Sequence, residues 1–362
     1  MNRKITFFIV IILSTLSVIS GCIDIFQDIP TTYESTPTKI SYDIKYGYQV
    51  ECIGTGKYEI SYRCDIPEAM KTKSYSLLYN LNYSLLTTVN NSYIYWNISK
   101  ENGATYELGI SAHIESESNL ISDLNGEDAL ALEELIISYP EKVDQFTQAQ
   151  YKEDRILIDP YNSNIKLIAN NILNQSKTNN SFLIAKSLFI WLKENTEYQI
   201  HDGQGDVQPA LITLQKRAGD CDDLSFLYIS LCRAVGIPAR FVRGYLIKRE
   251  GKNVAATAHA WTEVFVGSNI GNKGWVTVEC ACCTTSIEAD INQNFGVEDA
   301  FHLRLFVDDG SNNSLNISLS GIHAQYYDKI NIEFQSFVIV ENYLELRSDQ
   351  LVVTKDNKRY YQ

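Results

Sequence analysis

No apolar run in this 362-residue chain is long enough to cross a bilayer comfortably. The best candidate, Ile5 to Ile19, falls short of the roughly 20 residues that a helical span needs. Basic residues are in the minority: 31 Lys and Arg face 44 Asp and Glu, for a net charge of −13. They are scattered and form no cluster, so the electrostatic footprint of a nucleic-acid binder is missing. Gly54-Thr-Gly-Lys57 lacks the spacing of a phosphate loop, and Asp308-Asp-Gly-Ser-Asn312 lacks that of a calcium loop. Cys280 and Cys283 have Cys-x-x-Cys spacing, but no second pair or nearby histidine completes four metal ligands. No cofactor and no metal is therefore expected. No internal repeat is visible. Histidine is scarce, with five in all, so each can be weighed. His113, His201 and His323 read as surface or internally satisfied side chains. His302, just after Phe301, is the one that invites inspection beside His259.

What is present at the N-terminus points outward. Arg3 and Lys4 precede the apolar stretch, which has signal-peptide length and ends in Ile19-Ser-Gly-Cys22. Small residues before a cysteine resemble a lipoprotein signal, with cleavage before Cys22 and lipid on its thiol. An uncleaved N-terminal anchor is the rival reading. Either one places the body outside the cytoplasmic membrane and attaches it there. Residues 1–21 hold two positive charges and no negative ones, so a chain starting at Cys22 carries −15 in place of −13. Surface solubility is the plain meaning of that charge.

The remainder divides by pattern. Residues 22–39 are rich in Thr, Ser and Pro and read as a tether. From 40 to 115, aromatic and β-branched residues alternate with polar ones, as in Tyr58–Cys64 and Tyr93–Ile98. That is the period of half-buried strands, so a β-sandwich-like domain is expected there, with Gly54–Lys57 as a hairpin turn. Residues 116–158 are polar and acidic, with a helical stretch near Ala129 to Ile137, and read as a linker. Amphipathic helices are expected at Asn164–Leu173 and Phe182–Leu192, the second capped by Ser181. A core follows from 159 to 310. Strands are expected at Leu303–Val307, Leu315–Leu319 and Ile330–Phe334, the last two in a β extension from 311 to 362.

Chemistry concentrates in the core. Gly219-Asp-Cys221-Asp-Asp223 precedes an apolar run that stops at Gly236-Ile-Pro238. This puts Cys221 in the first turn of a buried helix, where unpaired N–H groups favour a thiolate. Asp220, Asp222 and Asp223 suit a first turn, though their charge works against the thiolate. Ala258–Val266 and Trp275–Glu279 alternate on either side of a glycine-rich loop and read as a β-hairpin. If Val264 faces Gly274, His259 falls opposite Glu279, with Cβ atoms roughly 4.5–5.5 Å apart. A carboxylate there can orient an imidazole and stabilise its protonated form. Glu263 shares the face but lies about 13 Å along the strand. Cys232 reads as a buried thiol, Cys52 and Cys64 could be bridged, and Cys280, Cys282 and Cys283 are either a disulfide or free thiols.

Val207-Gln-Pro-Ala-Leu-Ile-Thr-Leu-Gln-Lys-Arg-Ala-Gly-Asp-Cys221, Gly236-Ile-Pro-Ala-Arg240, Gly244-Tyr245, His259-Ala-Trp-Thr-Glu-Val264 and Gly274-Trp-Val-Thr-Val-Glu279 together resemble the transglutaminase-like core. The resemblance runs from about Asp159 to Thr285. It implies an α+β, papain-like cysteine fold of helices and antiparallel sheet. It also implies Cys221 as nucleophile, His259 as general base and Glu279 as orienting acid. The family usually has Asp followed by Pro at the third position, whereas this chain has Glu279 followed by Cys280. The implied activity is acyl transfer on a protein or peptide amide through a thioester. Hydrolysis by a cysteine peptidase or amidase comes first, protein crosslinking is the alternative, and a non-catalytic surface binding module is the rival from another class.

Overall fold

Alternation along the first strand builds one wall of a β-sandwich. Strand β1, Thr36–Gly54, turns Ile40, Tyr42, Ile44, Tyr46 and Val50 inward. The computed structural model describes residues 35–88, 90–200, 207–251, 253–281, 286–318, 321–327 and 329–362. They belong to one unit, Ser35–Gln362. The signal segment, Cys22, most of the tether, His201, Cys282 and Cys283 lie outside the described residues.

Five further strands follow: β2 (Lys57–Ile66), β3 (Thr72–Leu77), β4 (Tyr83–Thr87), β5 (Ser92–Glu101) and β6 (Ala104–Glu117). Four strands of the core come next: β7 (Ala239–Glu250), β8 (Asn253–Phe265), β9 (Trp275–Val278) and β10 (His302–Val307). Two strands near the C-terminus, β11 (His323–Tyr326) and β12 (Ile330–Asp349), join the sandwich, and the remaining strands of the described residues are short two- to four-residue pairs. One sandwich sheet has the order β12-β1-β6-β3 and the other β11-β2-β5-β4. The C-terminal extension therefore supplies a strand to each sheet of the N-terminal sandwich. β12 runs antiparallel to β1 from Thr36↔Asp349 to Gly54↔Ile330. Tyr42, Tyr58, Ile60, Trp96, Ile98 and Leu108 fill the space between the sheets.

The expected hairpin at Gly54–Lys57 is not one. β1 and β2 lie in different sheets, and the turn carries the chain across the sandwich. Gly54 has φ +116°, and a Cβ there would sit 2.2 Å from the Lys329 carbonyl oxygen. Thr55 N–H donates to that same oxygen at 3.0 Å, so the turn is held by the C-terminal strand. Cys52 and Cys64, one on each of these strands, are separate buried thiols.

The segment 116–158 is packed and is not a linker. Helices α1 (Leu132–Ser138) and α2 (Pro140–Phe146) bury Leu135 and Phe146 against Phe265 and Trp275. Those few apolar side chains cover the outer face of the β8–β9 hairpin. Helices α3 (Ser163–Ser176) and α4 (Ser181–Asn195) lie close to their expected places. Asn180, and not Ser181, caps α4: its side chain accepts from Leu183 N–H at 3.0 Å. Ser181 Oγ instead donates to the Leu130 carbonyl at 2.8 Å.

Helix α5 (Ala210–Lys216) leads to α6 (Cys221–Ala234), whose side chains from Asp223 to Arg233 are all buried. α6 packs on the sheet β9-β8-β7-β10, and α7 (Ile287–Asn294) covers the end of β9. Cys232 is fully buried, as its spacing from Cys221 suggested. The strand expected at Leu315–Leu319 is a short helix, α8 (Ser314–Ser318). The preceding turn sets it up. Asp308 accepts from Gly310 N–H at 2.8 Å and Asp309 from Ser311 N–H at 2.9 Å, local bonds that compete with extended backbone.

Candidate active site

Cys221 is the first residue of α6, with Asp220 as its N-cap. Asp223 fixes this helix end: one carboxylate oxygen accepts from Gln208 N–H at 2.6 Å and the other from Asp220 N–H at 3.2 Å. Gly219 makes room, because a Cβ there would lie 2.6 Å from that of Asp223. Among the described free cysteines Cys221 alone is not buried. Its surroundings do not favour a standing thiolate. Burial, then Asp222 and Asp220, push the thiol up to about 12, against the one helpful contact, the backbone N–H of Ala260. The two aspartates also act on each other. Burial, and a hydrogen bond and charge from Asp220, push Asp222 up to about 9. The helix-terminus effect expected from sequence is thus opposed first by burial and then by the acidic residues beside it.

The Ala260 N–H places the sulfur beside β8, at the residue that follows His259 in the strand. His259 Nε2 lies 2.6 Å from Glu279 Oε2, with both side chains nearly buried. Burial alone would raise Glu279, but His259 and His302 hold it well below the usual carboxylate range. Glu279 therefore accepts, and the Nε2 proton of His259 donates. This leaves Nδ1 as the ring nitrogen available to Cys221. Glu279 is itself anchored: its N–H donates to the Asn294 carbonyl at 2.9 Å, and its Oε1 accepts from Ala281 N–H at 2.7 Å.

The register that brings His259 and Glu279 together differs from the expected one by two residues. The pairs are Phe265↔Trp275, Val264↔Val276, Glu263↔Thr277 and Thr262↔Val278. Val264 does not face Gly274. Gly274 has φ +91° and a Cβ there would meet the Phe265 ring at 2.5 Å, so it belongs to the turn. Pairing starts one residue later on each strand, at the contacting rings of Phe265 and Trp275. β9 ends at Val278, and Glu279 reaches His259 from just beyond the ladder. A shift of two keeps every side chain on its expected face.

His302 adds a member that the spacing argument did not place. Its Nε2 lies 3.1 Å from the same Glu279 Oε2, and its Nδ1 lies 2.7 Å from Asp299 Oδ1. Burial alone would lower it, but Asp299 and Glu279 push it up to about 10. The Trp261 ring packs against both imidazoles, stacked on His259 and edge-on to His302 with centroids at 6.0 and 4.9 Å. The His302 carbonyl accepts from Lys71 Nζ, which comes from the sandwich, at 2.8 Å. The facing nitrogens of His259 and His302 both bond the same Glu279 oxygen, so the three side chains form one hydrogen-bonded cluster. The scarcity of histidine and a place after Phe301 singled out His302 in the sequence, but nothing there placed it beside Glu279.

Glu263, on the same face of β8, has a different occupation. It is fully buried between Arg240, at 2.6 Å, and Arg304, at 2.7 Å. Arg304 also pairs with Glu298, which pairs with Lys71 at 3.0 Å. This is a buried ion network joining the core to the sandwich, and it meets the His259–Glu279 pair through Lys71 and His302.

A helix-terminal cysteine beside a strand histidine that is held by a buried acid is the arrangement of papain-like thiol enzymes. Residues 168–280 match the transglutaminase-like superfamily, so the chain carries a transglutaminase-like core behind a β-rich N-terminal region. An uncharacterized protein of Mycobacterium leprae, ML0607, is 35% identical over 81 residues, which make up 21% of this chain and 29% of that relative. The chain thus spans less than a third of the length of that relative. A structure from Cytophaga hutchinsonii, described as a candidate cysteine protease, aligns with 91% of this chain and 100% of its own at TM-score 0.52 and 15% identity. That likeness is one of fold. The periplasmic domain of TgpA from Pseudomonas aeruginosa aligns with 68% of this chain and 71% of its own, at TM-score 0.33 and 12% identity.

Proposed function

We propose that the chain is a thiol-dependent acyl-transfer enzyme that acts on a protein or peptide amide, with hydrolysis as its reaction. The observation that carries this reading is the 2.6 Å bond from His259 to Glu279, next to the strand position whose N–H supports Cys221. His259 Nδ1 takes the proton of the Cys221 thiol as the sulfur attacks the amide carbon. A carbon–sulfur bond forms, and the carbonyl oxygen becomes an oxyanion facing the Cys221 backbone N–H at the helix terminus. The carbon–nitrogen bond breaks as His259 returns its proton to the leaving amine. Water, deprotonated by the same imidazole, then attacks the thioester. The carbon–oxygen bond forms, the carbon–sulfur bond breaks, and a free acid leaves.

Glu279 holds the imidazole in one tautomer and stabilises its charged form. Because burial and neighbouring acids disfavour a standing thiolate, His259 has to take the proton as attack begins. The reading also sets the protein outside the cytoplasmic membrane, attached through lipid on Cys22 or through an uncleaved anchor.

Alkylation at neutral pH, read by peptide mass spectrometry, tests the nucleophile. Cys221 should label far faster than Cys280 or Cys52, and His259→Ala should abolish the difference. Equal labelling of all cysteines would sink the reading and favour a binding module. With a protein substrate, products in added primary amine separate hydrolysis from crosslinking: amine incorporated into product in place of free acid would establish the latter.

A further inference from the structure

Buried Glu279, half-buried Asp299, two imidazoles and a tryptophan meet behind Cys221, and the triad uses only one carboxylate and one imidazole. His302 is the group left over. Both of its ring nitrogens face carboxylate oxygens, Nδ1 toward Asp299 at 2.7 Å and Nε2 toward Glu279 at 3.1 Å. A carboxylate only accepts, so each ring nitrogen has to carry a hydrogen, and an imidazole with two N–H groups is a cation. The ring cannot turn away: the side chain is buried, the Trp261 edge abuts it and Lys71 holds its carbonyl.

We propose that His302 is a positioning residue for the acyl-transfer site, a fixed imidazolium that pins Glu279 in place for His259 and balances its charge. The proposal rests on the reading of Cys221, His259 and Glu279 as the reacting set. Glu279 has three donors: His259 and His302 on Oε2 and Ala281 N–H on Oε1. With those directions filled, the carboxylate has one orientation, and so does the imidazole bound to it. The balance of charge matters as much. An isolated buried Glu279 would oppose formation of the Cys221 thiolate, since its charge already acts against that thiol. The His302 cation, with its ring centroid 5.7 Å from that of His259, offsets this. The other charged groups around His302 are Asp299 and Glu298 from its own turn, Lys71 from the sandwich and, across a cavity of about 360 Å³, Lys248 and Arg249 from β7. Asp299 is the partner that keeps the proton on the ring.

Two measurements on the full chain test this. Nitrogen-15 NMR of the histidine rings reads His302 directly in the wild type. Both of its nitrogens should remain protonated from about pH 6 to 9, unlike an ordinary histidine. A ring with one bare nitrogen at neutral pH would overturn the proposal. His302→Gln keeps a donor toward Glu279 and removes the charge. Its Cys221 alkylation profile should move to higher pH by about one unit, the size expected for one charge at this range in a partly screened interior. Below the midpoint that is about a tenfold slower reaction. A folded His302→Gln protein with the wild-type profile would also overturn it. If that variant fails to fold, the NMR result decides alone. Failure of the underlying reading looks different: His259→Ala would then leave Cys221 labelling unchanged while the His302 signals stayed doubly protonated.

Discussion

At the scale of single residues, the site is built from opposed charges more than from a helix terminus. Asp222 is the clearest case. Its carboxyl is pushed up to about 9 by burial and by the hydrogen bond and charge of Asp220. A carboxyl whose folded value lies above its unfolded one costs stability progressively as pH rises from the unfolded value toward the folded one. Asp222→Asn removes the charge that forms there. It should let Cys221 ionise at lower pH and raise its alkylation rate several-fold at pH 9, measured against wild type across a pH series. Glu279→Gln should act the other way. It keeps the size of the side chain, but its amide can present nitrogen to His259 and favour the wrong tautomer. Turnover, or the labelling rate in its absence, should fall by up to about 10⁴-fold, the cost of losing such an acid in a comparable triad. A silent Glu279→Gln would show that the third position has been misassigned.

At the scale of elements, the strand β8 separates chemistry from structure within one face. His259 takes part in the hydrogen-bonded cluster, while Glu263, four residues on, ties Arg240 to Arg304. Removing one member of a buried ion pair leaves a charge without its partner, so Glu263→Gln should cost about 3 kcal/mol in a urea titration at pH 7. Burial alone would raise the Glu263 carboxyl, but the two arginines hold it below its ordinary value. Its contribution is therefore present above the unfolded value and lost as pH falls through the folded one. The gap between wild type and Glu263→Gln should shrink below about pH 4, and a gap that stays constant there would argue against the assignment. The elements near the site were legible because their signals are local: a glycine and an aspartate before an apolar run, and alternation around Gly267–Gly274. The hairpin register was misread by two residues because the sequence does not show that Gly274 sits at positive φ under the Phe265 ring. His302 stood out as scarce histidine, but its role depends on β10 lying beside β7, a pairing made by tertiary structure.

At the scale of the whole molecule, the sequence pattern showed that there would be strands but not which of them pair. Residues 40–115 read as a self-contained sandwich, yet its two sheets borrow β11 and β12 from the far end of the chain. Deleting residues 321–362 should therefore unfold the sandwich as well as shorten the protein, seen as loss of the cooperative transition by circular dichroism. A truncated protein with an intact transition would show that β1 finds another partner. At the opposite terminus, Cys22→Ser should block lipid attachment and release the protein from membranes. Unchanged processing and retention would favour the uncleaved anchor. The long antiparallel pairing of β1 with β12 also sets an order of events in the cell. A nascent chain presents β1 first and β12 almost last, so β1 waits with an open edge while the catalytic half emerges complete. Closing a loop of nearly the whole chain is entropically costly and slow. Lys71, which holds His302 in place, sits on the part that closes late. The contact between Lys71 and the His302 carbonyl should therefore form only after β12 has arrived and paired with β1.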